Sequence, residues 1–220
     1  METVAILPVR SFADAKRRLR SGLSPGERRA LAQAMFSDVL IALRRTTRID
    51  TVLVISADGG AQAIATGYGV QVLVDAEHGH NVAARHGIEE AVRSGADRVV
   101  LVPGDCPTLS PAELDGLLER AVAEPAALIV PDRHGTGTNA LVLTPPDALT
   151  PSFGPGSCER HLDSARQAGV HGEIVHVDSL ALDVDTAEDL EALHEALEMR
   201  RGGAANTRGL LAQFVRSRAP

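Results

Sequence analysis

Short aliphatic and β-branched runs alternate along this chain with longer stretches rich in Ala, Leu, Glu and Arg, and few folds accommodate that rhythm. TVAILP, TVLVIS, VQVLV, RVVLVP, AALIVP, NALVLT and EIVHV read as strands, and the stretches between them as helices. The pattern predicts an α/β fold with a largely parallel sheet covered by helices on both faces. Hydrophobic residues make up 44% of the chain, aromatics only 2%, and Trp is absent, so the core is built from Ala, Val, Leu and Ile. A length of 220 residues suits one such domain, assigned to 1–201.

Local signals fix several helix ends. Ser24-Pro25-Gly26-Glu27 and Ser110-Pro111-Ala112-Glu113 each order a capping hydroxyl, a first-turn proline and a reciprocal glutamate. Their helices are predicted to run to about Arg45 and Glu124. Thr186 caps the acidic stretch AEDLEALHEALEMR, with Leu190, Leu193 and Leu197 along one face. Gly202 and Gly203 then break the pattern, leaving 202–220 as a C-terminal tail that contains a short docking helix with Asn206 at its cap.

A net charge of -7 argues against a general nucleic-acid or membrane-surface binder, because both need clustered positive charge. No apolar stretch approaches the ~20 residues of a membrane span, and the N-terminus lacks the pattern of a secretory leader. Cys106 and Cys158 lie far apart without metal-site spacing, so a cytosolic location is expected.

Ligands of open α/β sheets bind beyond the carboxyl ends of the strands. The strand ending near Pro8 feeds a loop with Arg10, Lys16, Arg17, Arg18 and Arg20, which is either a phosphate-facing patch or a solvated helix end. Dinucleotide-type glycine loops and P-loops are absent from the sequence. The run RVVLVPGD delivers Asp105 to a strand end, where a carboxylate suits Mg²⁺ and its preference for hard oxygen ligands. Cys106 beside it reads as a small buried filler. In LDVDTAEDL, Asp183 and Asp185 stand two apart and, at strand spacing, share a face; either one is a second metal ligand while the other caps the helix or holds a water, or both only complement the helix dipole.

Thr136 and Thr138 beside glycines, and Gly154-Pro155-Gly156-Ser157 before Arg160 and His161, form two further loops. A glycine loop opening a helix is either an anion site for a phosphate or carboxylate, or an ordinary turn with Ser157 as N-cap. His78, His80 and His86 surround Asn81 without a metal-binding helix spacing, and Gly79 with Asn81 is placed near a nucleobase.

In this order, ILPVRSFADAKRRL, HGHNVAARHGIEEA, LVPGDCPTLSP, GTGTNALVL, FGPGSCERHLDSA and LDVDTAEDL resemble the guanylyltransferases of coenzyme F-420 biosynthesis. The resemblance spans the chain up to about Gly202. It implies a Rossmann-like three-layer nucleotidyltransferase fold of the nucleotide-diphospho-sugar transferase kind, with a mostly parallel mixed sheet. The related molybdenum-cofactor enzymes open on a glycine-rich loop that this chain lacks. The family's activity is transfer of GMP from GTP to phosphoenolpyruvate in bacteria, or to 2-phospho-L-lactate in archaea, with release of pyrophosphate. The Arg- and Ala-rich composition leans toward the bacterial acceptor.

By position, the resemblance makes Asp105 and one of Asp183 or Asp185 ligands of Mg²⁺. It matches Thr138, Gly154 and Ser157 to acceptor-binding residues, with Arg160 beside them, and Lys16 to the catalytic lysine of the nucleotide loop that includes Pro8 and Arg10. GTP and a small phosphorylated acid are the expected substrates. A second copy of the chain and the downstream transferase of the deazaflavin pathway are the candidate protein partners. Two other readings compete: a sugar nucleotidyltransferase or metal-dependent glycosyltransferase, for which GDCP offers one acid rather than a D-x-D pair, and a nucleotide-binding module without turnover.

Overall fold

The computed structural model describes residues 1–75, 79–200 and 202–218. Seven strands form one sheet: β1 (Thr3–Pro8), β2 (Thr51–Ser56), β3 (Gln71–Val74), β4 (Arg98–Leu101), β5 (Ala126–Pro131), β6 (Thr138–Thr144) and β7 (His171–Ile174), in the order β3-β2-β1-β4-β6-β5-β7. All neighbours are parallel except at β6, which runs antiparallel to both β4 and β5. That reversal brings the first residues of β6 to the edge where β1 and β4 end.

Alternation along the strands divides the core in two. Ala5 and Leu7 of β1 and Val100 of β4 face one side, where α1 (Pro25–Arg45), α2 (Gly59–Gly67) and α4 (Pro111–Leu118) pack; Phe36, Leu40, Ala61 and Leu114 are among their contributions. Val4, Ile6, Val99 and Leu101 face the other, covered by α3 (His80–Arg93) and α5 (Ser157–Ala168) through Ala84, Ile88, Cys158 and Ala165. Gly87 lets α3 lie close, since a Cβ there would stand 2.5 Å from Ile6 and 2.9 Å from Ile55.

A third cluster lies on the outer side of α1. Leu31 and Met35 meet Leu193 and Leu197 of α6 (Ala187–Met199) and Leu211 of α7 (Ala205–Arg218). Here α1 is apolar on two sides, which explains its length and its nine buried residues. Asn206 does not cap α7: it lies inside the helix, and Asp38 of α1 accepts hydrogen bonds from the backbone N–H groups of Asn206 (3.0 Å) and Thr207 (2.8 Å).

Other boundaries differ from expectation for definable reasons. The α1 capping box forms and the helix ends at Arg45, whereas α4 stops at Leu118 rather than near Glu124, because residues 119–124 offer almost no buried side chain to prolong it. Ser110 caps α4, but Glu113 does not return to it; its carboxylate accepts the N–H of Ser179 at 2.9 Å. β4 ends at Leu101, two residues short of Pro103, and β7 occupies His171–Ile174 rather than residues 173–177. Among the described residues, no helix is long and apolar enough to cross a membrane.

Candidate active site

The loop after β1 is basic on its surface and anchored by its apolar residues. Phe12 packs on Phe36 with ring centroids 5.7 Å apart, and Leu19 joins the outer cluster. Asp58, capping α2, also fastens this loop: one carboxylate oxygen accepts from Ser11 Oγ and Phe12 N (both 3.0 Å), the other from Gly60 N (2.8 Å) and Ala61 N (3.0 Å). Burial opposes the Asp58 charge, yet these hydrogen bonds prevail and hold the carboxyl below its usual range. Pro8 is buried at the end of β1, while Arg10 and the pair Arg17–Asp14 are at the surface.

Lys16 stands apart from its basic neighbours. Its backbone is left-handed (φ 56°, ψ 39°), a conformation costing a non-glycine residue about 1–2 kcal/mol. Its side chain is only 7% exposed and turns inward, where the ammonium donates to Asp105 and, at 3.0 Å, to Asp185. Burial alone would disfavour the ammonium, but the two carboxylates outweigh it and raise Lys16 above the ordinary lysine value. Positions 16, 105 and 185 thus converge at the carboxyl edge of β1 and β4.

Asp183 completes the group from a loop, not from a strand as its spacing suggested. Asn139, the second residue of β6, donates to it at 3.2 Å and to the Leu180 carbonyl at 2.7 Å. Thr108 Oγ1 donates to the Ser179 carbonyl at 3.1 Å, so the turn before Asp183 is pinned to the loop after β4. Burial first, then the charge of Asp105, pushes the Asp183 carboxyl up to about 6 despite the Asn139 bond. Asp185 is half-exposed; its backbone N–H goes to Asp189, which forms a capping box with Thr186 at the start of α6. Cys106 is wholly buried and its thiol is pushed well up, by burial and then by Asp105, so it is no nucleophile at neutral pH.

The second half of the site lies where β6 meets α5. His161, with 0% exposure, sits between Thr138 Oγ1 (3.0 Å from Nδ1) and the N–H of Ser152 (2.9 Å from Nε2). A backbone N–H can only donate, so Nε2 accepts and Nδ1 carries the proton that goes to Thr138. Burial, then the nearby Arg160, lowers His161 to about 4 and keeps it neutral. The Thr138 hydroxyl proton is thereby left to point away from the ring. Gly154 (φ 120°) and Gly156 (φ 71°) supply left-handed backbone at the entrance to α5.

Ser157 is not the N-cap; Gly156 is, and Ser157 begins the helix with its buried Oγ lacking a hydrogen-bond partner among the described residues. The α5 entrance is less open than an anion nest, because Ser157 N donates to Gly154 O (3.0 Å) and Cys158 N to Thr136 O (3.2 Å). Arg160 folds back onto the carbonyls of Pro155 and Ser152 and so braces this loop. Asn81 is occupied likewise: its amide donates to Phe153 O at 3.1 Å and accepts from Phe153 N at 2.7 Å, tying α3 to the loop before α5. Phe153 lies edge-on between His80 (5.2 Å) and His161 (5.3 Å). Gly79 is the N-cap of α3, and His78 lies outside the described residues. Among the described residues no three His, Cys, Asp or Glu side chains are grouped to hold a metal, and Lys16 bridges Asp105 and Asp185.

Asp58 and Asn139 carry this geometry and escape a reading of the sequence, as does the role of His161. Only Asp58 had a local signal, the capping pattern Ser56-Ala57-Asp58-Gly59-Gly60; the other two are defined by contacts between distant segments.

One mixed sheet between layers of helices, with carboxylates and a lysine where β1 and β4 end, places the chain in the α/β fold class that solved nucleotidyltransferases share. A solved nucleotidyl transferase from Methanothermobacter shares the architecture, with a TM-score of 0.67 at 16% identity over 90% of this chain and 99% of that one. The model of the family described as "Guanylyl transferase CofC like" matches residues 3–203, and the chain belongs to that family. It is 54% identical to the phosphoenolpyruvate guanylyltransferase of Conexibacter woesei, over 99% of this chain and 98% of that protein. It is 38% identical to the 2-phospho-L-lactate guanylyltransferase of Methanothermobacter thermautotrophicus, over 86% and 83% of the two.

Proposed function

We propose that this chain transfers GMP from GTP to phosphoenolpyruvate, giving enolpyruvyl-diphospho-5'-guanosine and pyrophosphate, and that it requires Mg²⁺. The observation carrying this reading is the Lys16 ammonium held against Asp105 and Asp185 at the carboxyl edge of the sheet. The substrate choice follows the 54% identical, full-length relative.

The donor set fits a divalent cation. Asp105 and Asp185 share a single ammonium, and burial together with the charge of Asp105 raises the neighbouring Asp183 carboxyl. Asp105 with Asp183 or Asp185 would hold the ion by hard oxygen ligands. When bound, Mg²⁺ supplies charge neutralisation for the triphosphate. Lys16 contributes a fixed positive charge to the phosphates, and Arg10 on the same loop adds to it. Thr138, hydrogen-bonded by His161, offers its hydroxyl proton to the acceptor, and the buried, unpartnered Ser157 hydroxyl is a second donor.

In the reaction an oxygen of the acceptor's phosphate attacks the α-phosphorus of GTP. A new P–O bond forms as the bond to the β-phosphate oxygen breaks, and pyrophosphate leaves with that electron pair. The attacking oxygen is already ionised at neutral pH, so the site needs no general base. The product would pass to a downstream transferase of the deazaflavin pathway.

A pyrophosphate-release panel crossing GTP, ATP, CTP and UTP with phosphoenolpyruvate, 2-phospho-L-lactate and 3-phosphoglycerate tests the reading. GTP with phosphoenolpyruvate is expected to give the highest kcat/KM, and release that ignores the added acceptor would reject it.

A further inference from the structure

Asp75 directly follows β3 at the same carboxyl edge, two strands from β1. It is 9% exposed, and Oδ1 is buried without a hydrogen-bond partner among the described residues. His86 of α3 has its Nδ1 3.4 Å from Oδ1, outside hydrogen-bond geometry. Proteins rarely leave a buried carboxylate oxygen unbonded, because desolvation is then uncompensated. An unmet acceptor directly after a strand end therefore points to a donor brought by a ligand.

Position indicates which ligand group this is. The Asp75 N–H donates to Ser56 O (3.3 Å) at the end of β2, and Ser56 Oγ donates to Val9 O (2.9 Å) in the loop leading to Lys16. The acceptor-side residues Thr138 and Ser157 lie beyond β4, on β6 and α5. A nucleotide with its phosphates at Lys16 and Asp105 then has its base over β1, β2 and β3, and Asp75 is roughly 10 Å from β1 by strand spacing. The other carboxylate on that side, Asp58, already accepts four hydrogen bonds.

Resting on the nucleotide reading above, we propose that Asp75 is the base-specificity residue, accepting the N1–H and 2-amino N–H of guanine. Guanine is the one common base with two adjacent donors on that edge, matching the two oxygens of a carboxylate. Adenine and cytosine set a ring nitrogen acceptor beside their amino group, and uracil flanks its single N–H with carbonyls; each would set an acceptor against Asp75.

The test compares GTP with ITP, which lacks only the 2-amino group, in Asp75→Asn, His86→Ala and the unaltered protein. The unaltered protein is expected to favour GTP by roughly 10- to 100-fold in kcat/KM, the discrimination of a bidentate base contact. Asp75→Asn should bring that ratio to within a few-fold of one, chiefly through KM for GTP, while His86→Ala keeps it. A folded Asp75→Asn protein with the original ratio, or one whose only change is a lowered Tm shared with His86→Ala, overturns the proposal. Should Asp75→Asn not fold, competition of GMP, IMP and 1-methyl-GMP for the unaltered protein decides: GMP must bind best and N1-methylation must abolish binding, and equal affinities refute the assignment. Pyrophosphate release from no nucleotide would refute the enzymatic reading instead, leaving the GMP binding series to judge Asp75.

Discussion

Asp105 has one hydrogen-bond partner among the described residues, the Lys16 ammonium, and Asp185 shares that partner. Asp105→Asn therefore removes charge while a counter-ion still faces the lysine, so the fold is expected to persist. Pyrophosphate release should fall on the order of 10²-fold or more, as when one preorganised electrostatic contact is lost. Near-normal turnover in Mg²⁺ would reject the role. His161 yields a prediction of another kind. Its folded value of about 4 lies below the ordinary 6.5, so between those values the unfolded chain binds the extra proton. The His161 contribution to stability therefore rises with pH across that window and is lost on acidification from 6.5 toward 4, by about 3 kcal/mol, whereas the Asp183 carboxyl, raised to about 6, acts in the opposite sense below that value. His161→Gln cannot titrate, and urea unfolding at pH 7 and pH 5 should give it a smaller difference than the unaltered protein. An equal slope would mean that another group carries the acid sensitivity. The tautomer behind this argument depends on the N–H of Ser152, nine residues earlier and across a loop, which is why it was not legible in the sequence.

At the scale of elements, legibility tracks how local the cause is. The Ser24 box fixes the start of α1 because its partners lie within one turn, and runs such as those of β1 and β5 identify strands because burial on both faces leaves no other use for them, whereas the edge strands β3 and β7 are only partly buried. Glu113 has the same local signature as Glu27 yet bonds Ser179, 66 residues away, since the turn before Asp183 needed an acceptor. The α7 cap failed to show itself for the same reason: Asp38 looks like an interruption of α1 until α7 is laid across it. Asp38→Ala would leave the N–H groups of Asn206 and Thr207 without their acceptor, and a lost N-terminal cap costs about 1–2 kcal/mol. Faster hydrogen exchange throughout α7 with little change in kcat is the expected result. A variant with unchanged exchange in α7 would show that the apolar contacts of Leu211 hold the helix alone. Gly87→Ala acts on α3 instead, forcing a methyl against Ile6 and Ile55; overpacking of this kind costs about 1–3 kcal/mol and should appear as a lowered Tm.

Across the whole molecule, a chain of net charge -7 must gather two polyanions at an edge that already holds three carboxylates. The site's positive charge is local, and Lys16 is committed to Asp105 and Asp185 before any substrate arrives. Mg²⁺ alone would compete with that ammonium for the same oxygens, and GTP alone would bring its charge toward unscreened carboxylates. Each is therefore expected to bind weakly by itself, whereas the Mg²⁺–GTP pair supplies ligands for the ion and phosphates for the lysine together. At 100 times the dissociation constant a ligand adds about 2.7 kcal/mol of stability. For a domain of this size that is roughly 5–10 °C in Tm. Thermal unfolding with Mg²⁺, with GTP in EDTA, and with both should thus give two small shifts and one large one. A full shift from GTP in EDTA would mean that Lys16 and Arg10 hold the triphosphate without an ion, and the carboxylates would then need another explanation.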